Sequence, residues 1–140
     1  MKLGIFADIL TDPLCDTAAE LNELGIDTVL FVNNWGQINH TDVCVMSSAN
    51  IWGFREPVVA VDSVAARMLV ECPVPTKRFI YTQEYAWNHF PFEDNMKVYN
   101  NPSHTILVGT QFDKAIVEST FHDNVKIVPD LDSKELAKCL

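Results

Sequence analysis

A chain of 140 residues, 48% of them hydrophobic, is long enough to bury one ordinary core and too short for two. Nineteen acidic against ten basic residues give a net charge of −9, which argues against a broad nucleic-acid-binding face and leaves only a local patch open. No apolar run approaches the roughly 20 residues of a membrane span, and no secretory signal opens the sequence. Cys15, Cys44, Cys72 and Cys139 lie far apart and follow none of the close pairings of zinc sites, so free thiols in a reducing, cytoplasmic setting are expected.

In chain order, Lys2 to Ala7 reads as a buried strand with Asp8 at its exit. Asp12 as N-cap and Pro13 in the first turn begin a helix whose apolar face is Leu14, Ala18, Leu21 and Leu24, and Gly25 ends it. Ile26 to Val32 is a second strand, leading into a loop of Asn33, Asn34, Trp35, Gly36 and Gln37. Asp42 to Met46 is a third, opening onto the polar and aromatic stretch from Ser47 to Phe54. A short apolar stretch, Val58 to Val61, precedes a helix capped by Asp62 and stopped before Pro73. Arg78 to Thr82 is the next strand, with Gln83, Glu84 and Tyr85 at its exit. Tyr85 to Ser103, rich in aromatics, Pro and Asn, reads as a long loop or short helix at a functional edge. Thr105 to Val108 and Val125 to Val128 are strands on either side of a helix that Thr110 and Asp113 cap. A final helix runs from Ser133 to Leu140.

Six strands separated by helices or long crossovers imply one Rossmann-like α/β domain over residues 1–140, with a mostly parallel sheet and helices on both faces. Ligands of such sheets bind at the carboxyl ends of the strands, which selects Asp8, Asn33, Asn34, Ser47, Ser48, Asn50, Gln83, Glu84 and Tyr85 as one rim. Glu84 there can take a proton from an acceptor hydroxyl, or is a solvated strand-end acid. Asp8 reads first as a cap for the turn or helix that follows it. Ser47, Ser48 and Asn50 suit either a sugar or base edge or the closing of their own turn. His40, His89, His104 and His122 are too dispersed for a metal set, and His89 alone falls near the rim. Trp35, Trp52, Tyr85, Trp87, Phe90 and Phe92 either offer stacking platforms, cover a partner interface or pack long loops onto the core. Neither a G-x-G-x-x-G after the first strand nor a P-loop occurs, and no metal or cofactor is expected.

Met1 to Phe6, the helix ending Leu24-Gly25-Ile26-Asp27, Asp42 to Phe54 with its Ser-Ser-Ala-Asn-Ile-Trp-Gly-Phe, Arg78 to Glu84, and Pro102 to Lys138 follow one another in a familiar order and spacing. The chain resembles the amino-terminal half of the two-domain GT-B glycosyltransferases, above all the DNA β-glucosyltransferases of T-even bacteriophages, over nearly its whole length. The resemblance implies the half that generally handles the acceptor, encoded by a phage and working in the host cytoplasm. In those enzymes an Asp ending the strand that matches Arg78 to Glu84 is the catalytic base, which puts Glu84 in that place, or Gln83 if the register slips by one. A Glu can keep the role and a Gln cannot.

The second GT-B domain, which carries most contacts to the nucleotide-sugar, has no counterpart in these 140 residues, so transfer is expected only with a second glycosyltransferase subunit or in a homo-oligomer. The implied ligands are a nucleotide-sugar or an acceptor; nucleic acid enters only as acceptor, and the acidic balance disfavours it. The alternative is a non-catalytic phage interaction protein that binds or inhibits a host protein.

Overall fold

The computed structural model describes residues 1–39, 42–83 and 86–140. Its seven strands are β1 (Lys2–Ile9), β2 (Asp27–Asn34), β3 (Cys44–Ser47), β4 (Val58–Ala60), β5 (Arg78–Tyr81), β6 (His104–Val108) and β7 (Val125–Ile127). They form one sheet in the order β3-β2-β1-β4-β5-β6-β7, and every pairing is parallel. Parallel neighbours cannot be joined by tight turns, so the crossovers carry α1 (Asp12–Glu23), α2 (Ser63–Leu69), α3 (Phe92–Val98), α4 (Gln111–Thr120) and, after β7, α5 (Ser133–Cys139).

Successive side chains of a strand point to opposite faces, and the core divides accordingly. Leu3, Ile5 and Ala7 of β1 pack with Cys15, Ala18 and Leu21 of α1 and Leu136 of α5. Phe6 of the same strand packs on the other face with Ala65, Ala66 and Leu69 of α2, Val98 of α3 and Val117 of α4. The Rossmann-like expectation is met in this sheet with its helices on both faces.

The sequence predicts six strands, and the described residues form seven. The stretch from Val58, read only as a short apolar run, is β4, the middle strand of the sheet, with Val58, Val59 and Ala60 all fully buried. Flanked on both edges and covered on both faces, such a strand carries no polar alternation to announce it. The segment after Tyr85 takes the helical one of its two readings, holding a 3-10 helix at Ala86–His89 and then α3. Its order comes from aromatic packing. Trp87 is buried against Tyr99 and Phe121 at ring separations of 5.8 and 6.0 Å, and Phe90 lies 5.5 Å from Tyr99.

The cap of α1 is Thr11, whose hydroxyl accepts from the Leu14 amide, and not Asp12. Asp12 instead accepts from the backbone and side-chain nitrogens of Asn39 at 2.9 and 3.3 Å, fastening the loop that follows β2. Asp62 and Thr110 cap α2 and α4, as their sequence positions predict.

Candidate functional site

The strand order reverses between β1 and β4, because the chain builds outward from β1 through β2 to β3 and then from β4 to β7 on the other side. The connections from these two central strands leave in opposite directions and open a crevice at their carboxyl ends. Asp8 lies near the end of β1 and Asp62 follows β4. The Asp8 amide donates to Oδ2 of Asp62 at 2.7 Å, while Oδ1 of Asp62 accepts from the Ala65 amide at 2.8 Å. One carboxylate therefore starts α2 and ties it to the exit of β1. The Asp8 carboxylate faces β2, where Asn33 Nδ2 donates to its Oδ1 at 3.0 Å. Since Thr11 caps α1, Asp8 does not do so, and the capping role read for it is replaced by this contact with Asn33.

A cavity of about 510 Å³ opens over this junction, lined by Asp8, Asp62, Tyr81, Gln83 and Asp130, with Ile9, Leu14, Val61 and Leu131 among its apolar walls. Tyr81 closes β5 and is almost fully buried, and Gln83 Nε2 donates to its hydroxyl at 2.9 Å. Burial pushes the Tyr81 pKa up, the Asp130 charge adds to that, and the contacts with Gln83 and the Leu131 backbone oppose it. The phenol thus keeps its proton at neutral pH and faces the cavity as a hydrogen-bond donor.

Beyond β7 the chain turns through Asp130 and Leu131 at φ of 50° and 53°, a left-handed conformation that costs a non-glycine residue on the order of 1–3 kcal/mol. Burial of the Leu131 side chain in the core and the Asp132 amide's bond to Pro129 O at 2.9 Å hold the turn. Its result is that Asp130 stands on the cavity wall.

On the other flank, Asn34 is drawn into the same junction. Its carbonyl accepts from the Leu10 amide at 3.0 Å, and its Nδ2 lies 3.5 Å from Asp8 O. The following Gly36 has φ of 59°, and a Cβ there would stand 2.7 Å from Leu10 O. Gly36→Ala is therefore expected to lower stability by about 1–3 kcal/mol through left-handed strain and the backbone clash; a urea titration showing less than about 0.5 kcal/mol would contradict that close approach.

The other sequence candidates divide. Asp8 and Gln83 line the cavity and Asn34 borders it. Ser47 and Asn50 close their own turn, since Ser47 Oγ accepts from the Ala49 amide at 3.4 Å and Asn50 Nδ2 donates to Ser47 O at 3.2 Å. Ser48 belongs to a 3-10 helix, Ser48–Gly53, and lines a second cavity of about 640 Å³ with Ile51, Trp52, Arg67 and Met68. Glu84 and Tyr85 lie outside the described residues, and His89 is the last residue of the helix Ala86–His89. Of the aromatic set, Trp87 and Phe90 pack inward, whereas Trp35, Trp52 and Phe92 are largely exposed.

No family model matches the chain, and no curated protein does. The chemistry of the cavity therefore rests on its own residues. Among the described residues no group of three His, Cys, Asp or Glu side chains is placed to hold a metal ion, and no helix is long and apolar enough to cross a membrane. All four cysteines are unpaired thiols, with Cys44 exposed and the other three buried. Asp62, Tyr81 and Asp130 are the site residues that the sequence did not single out as such. Asp62 reads there only as a cap, and the one signal that points further is its position directly after what proves to be the central strand.

The lining also limits the ligand. Phosphate is held in related folds by glycine-loop amides, helix N-termini or cations. Here Pro13 has no amide hydrogen, the Leu14 amide is taken by Thr11 and the Ala65 amide by Asp62. Among the described residues the lining contains three carboxylates and no Lys, Arg or His. Such a surface accepts hydrogen bonds from hydroxyl groups and offers neutral donors in return, the Tyr81 phenol, the Gln83 amide and the Ser63 hydroxyl among them.

Proposed function

We propose that this chain is the acceptor-binding half of a phage-type GT-B glycosyltransferase, and that it works with a second subunit or as a homo-oligomer that supplies the nucleotide-sugar site. The observation that carries this reading is the cavity at the β1/β4 switch point, whose Asp8, Tyr81 and Gln83 suit a hydroxylated ligand and whose described lining carries no cation for a diphosphate. In the reaction the acceptor oxygen forms a bond to the anomeric carbon, the bond from that carbon to the diphosphate breaks, and the hydroxyl proton passes to Glu84. Glu84 is assigned this role from the resemblance and from its place in the chain next to Gln83. The diphosphate leaves with its charge held by the other half.

The test pairs calorimetry with labelled transfer. Free sugars are expected to bind the purified chain saturably, while nucleotide-sugars gain nothing from their diphosphate. Labelled transfer is then measured at concentrations where copies associate, or after the donor-binding subunit is added. Glu84→Gln is expected to lower transfer by about 10²–10⁴-fold, the usual contribution of a general base. Unchanged transfer in the variant would remove Glu84 from the role.

Exposed Trp35, Trp52 and Phe92 support the second reading, a non-catalytic protein that covers a host protein. A chain that binds no sugar at all but buries these rings on a protein partner would replace the first reading with this one.

A further inference from the structure

Among the described residues, the clefts at the carboxyl edge of the sheet are lined by a single sign of charge. Three smaller clefts adjoin the main cavity and share lining residues with it, Asp130 and Gln83 among them. Across all four, the carboxylates of the main cavity are joined by Glu20, Asp113, Asp132 and Glu135, and no Lys, Arg or His appears among the described lining residues. Arg78 begins β5 at the opposite edge of the sheet, and Arg67 faces the second cavity, where it pairs with Asp94 at 2.8 Å.

The three acids of the main cavity are not equivalent. Both oxygens of Asp62 are taken by amides. Asp8 has one oxygen engaged by Asn33, and among the described residues neither its second oxygen nor the exposed carboxylate of Asp130 receives a hydrogen bond. Two carboxylates on a partly apolar cavity thus keep acceptor capacity, next to the buried Tyr81 hydroxyl.

We propose that the cavity selects an amino sugar: a ligand of monosaccharide to disaccharide size whose hydroxyls meet Asp8, Tyr81 and Gln83 and whose protonated amine lies against Asp130. This rests on the reading of the cavity as an acceptor site and narrows it, since the same charge excludes phosphorylated sugars and nucleic-acid strands.

Three probes of nearly equal size and different charge test it: glucosamine, glucose and glucose 6-phosphate, titrated calorimetrically into the chain at a pH where the amine is protonated. Glucosamine is expected to bind at least about fivefold tighter than glucose, the effect of one close charge pair at water-like screening, and glucose 6-phosphate is expected to bind weakest. Asp130→Asn, which Asn tolerates at a left-handed φ, should remove most of that preference. High salt should shrink it as well. Equal binding of glucosamine and glucose, or tighter binding of the phosphate, would overturn the amino-sugar assignment and leave the acceptor site standing. If no sugar binds, the acceptor site itself fails and the assignment falls with it.

Discussion

Tyr99→Ala is expected to lower the unfolding free energy by about 3–5 kcal/mol, the range for truncating a fully buried aromatic side chain. Tyr99 is 1% exposed and forms the hub of the ring cluster, stacked 5.5 Å from Phe121 and edge-on to Trp87. Its hydroxyl donates to Thr82 Oγ1 at 3.3 Å. Thr82 and Trp87 flank Glu84 in the sequence, so this one side chain ties down the described chain on both sides of the proposed base. Tyr99→Phe isolates the hydroxyl and is expected to cost about 1 kcal/mol. Urea denaturation followed by near-ultraviolet circular dichroism reads both. A loss below about 1.5 kcal/mol for Tyr99→Ala would mean that the cluster collapses around the gap and does not anchor the segment.

Asp62→Ala is expected to cost about 2–4 kcal/mol, from two independent losses. The α2 cap accounts for about 1 kcal/mol, and the partly buried Asp8 amide, left without its acceptor, for about 1–3 kcal/mol. Asp62→Asn separates them, because its amide oxygen can still cap α2 while its NH2 group meets the Asp8 N–H donor to donor; a smaller loss is expected. Hydrogen exchange at the Asp8 amide should quicken in both variants. Slow exchange in Asp62→Ala would show that β1 and α2 do not depend on this carboxylate.

The alternation of apolar strands and capped helices made the architecture legible in the sequence. Asp62 and Thr110 marked helix starts correctly, because a capping side chain acts on amides two or three residues away and needs no tertiary partner. The central strand was hidden for the converse reason: Val58–Ala60 is defined by the neighbours on both its edges, and three apolar residues alone do not distinguish a strand from a core turn. The segment after Tyr85 looked irregular because its order comes from Trp87, Phe90 and Tyr99 meeting Phe121 across the fold.

The site shows the same divide. Asp8 and Gln83 could be placed on the cavity by the rule that strand exits bind ligands. Tyr81 looks like one more inward residue of β5, since its hydroxyl acquires meaning only from Gln83 and from the turn at Asp130 and Leu131. That turn is left-handed against local preference and is set by the burial of Leu131. Ser47 and Asn50 went the other way, their polar groups being spent on the start of the 3-10 helix.

The most direct test of the central claim is a titration of the isotope-labelled chain with glucosamine and glucose, followed by amide chemical shifts. Saturable shifts concentrated at Asp8, Asp62, Gln83 and Asp130 are the predicted result. Shifts confined to Ser48, Trp52 and Arg67 around the second cavity, or no saturable shift, would contradict an acceptor site at the switch point.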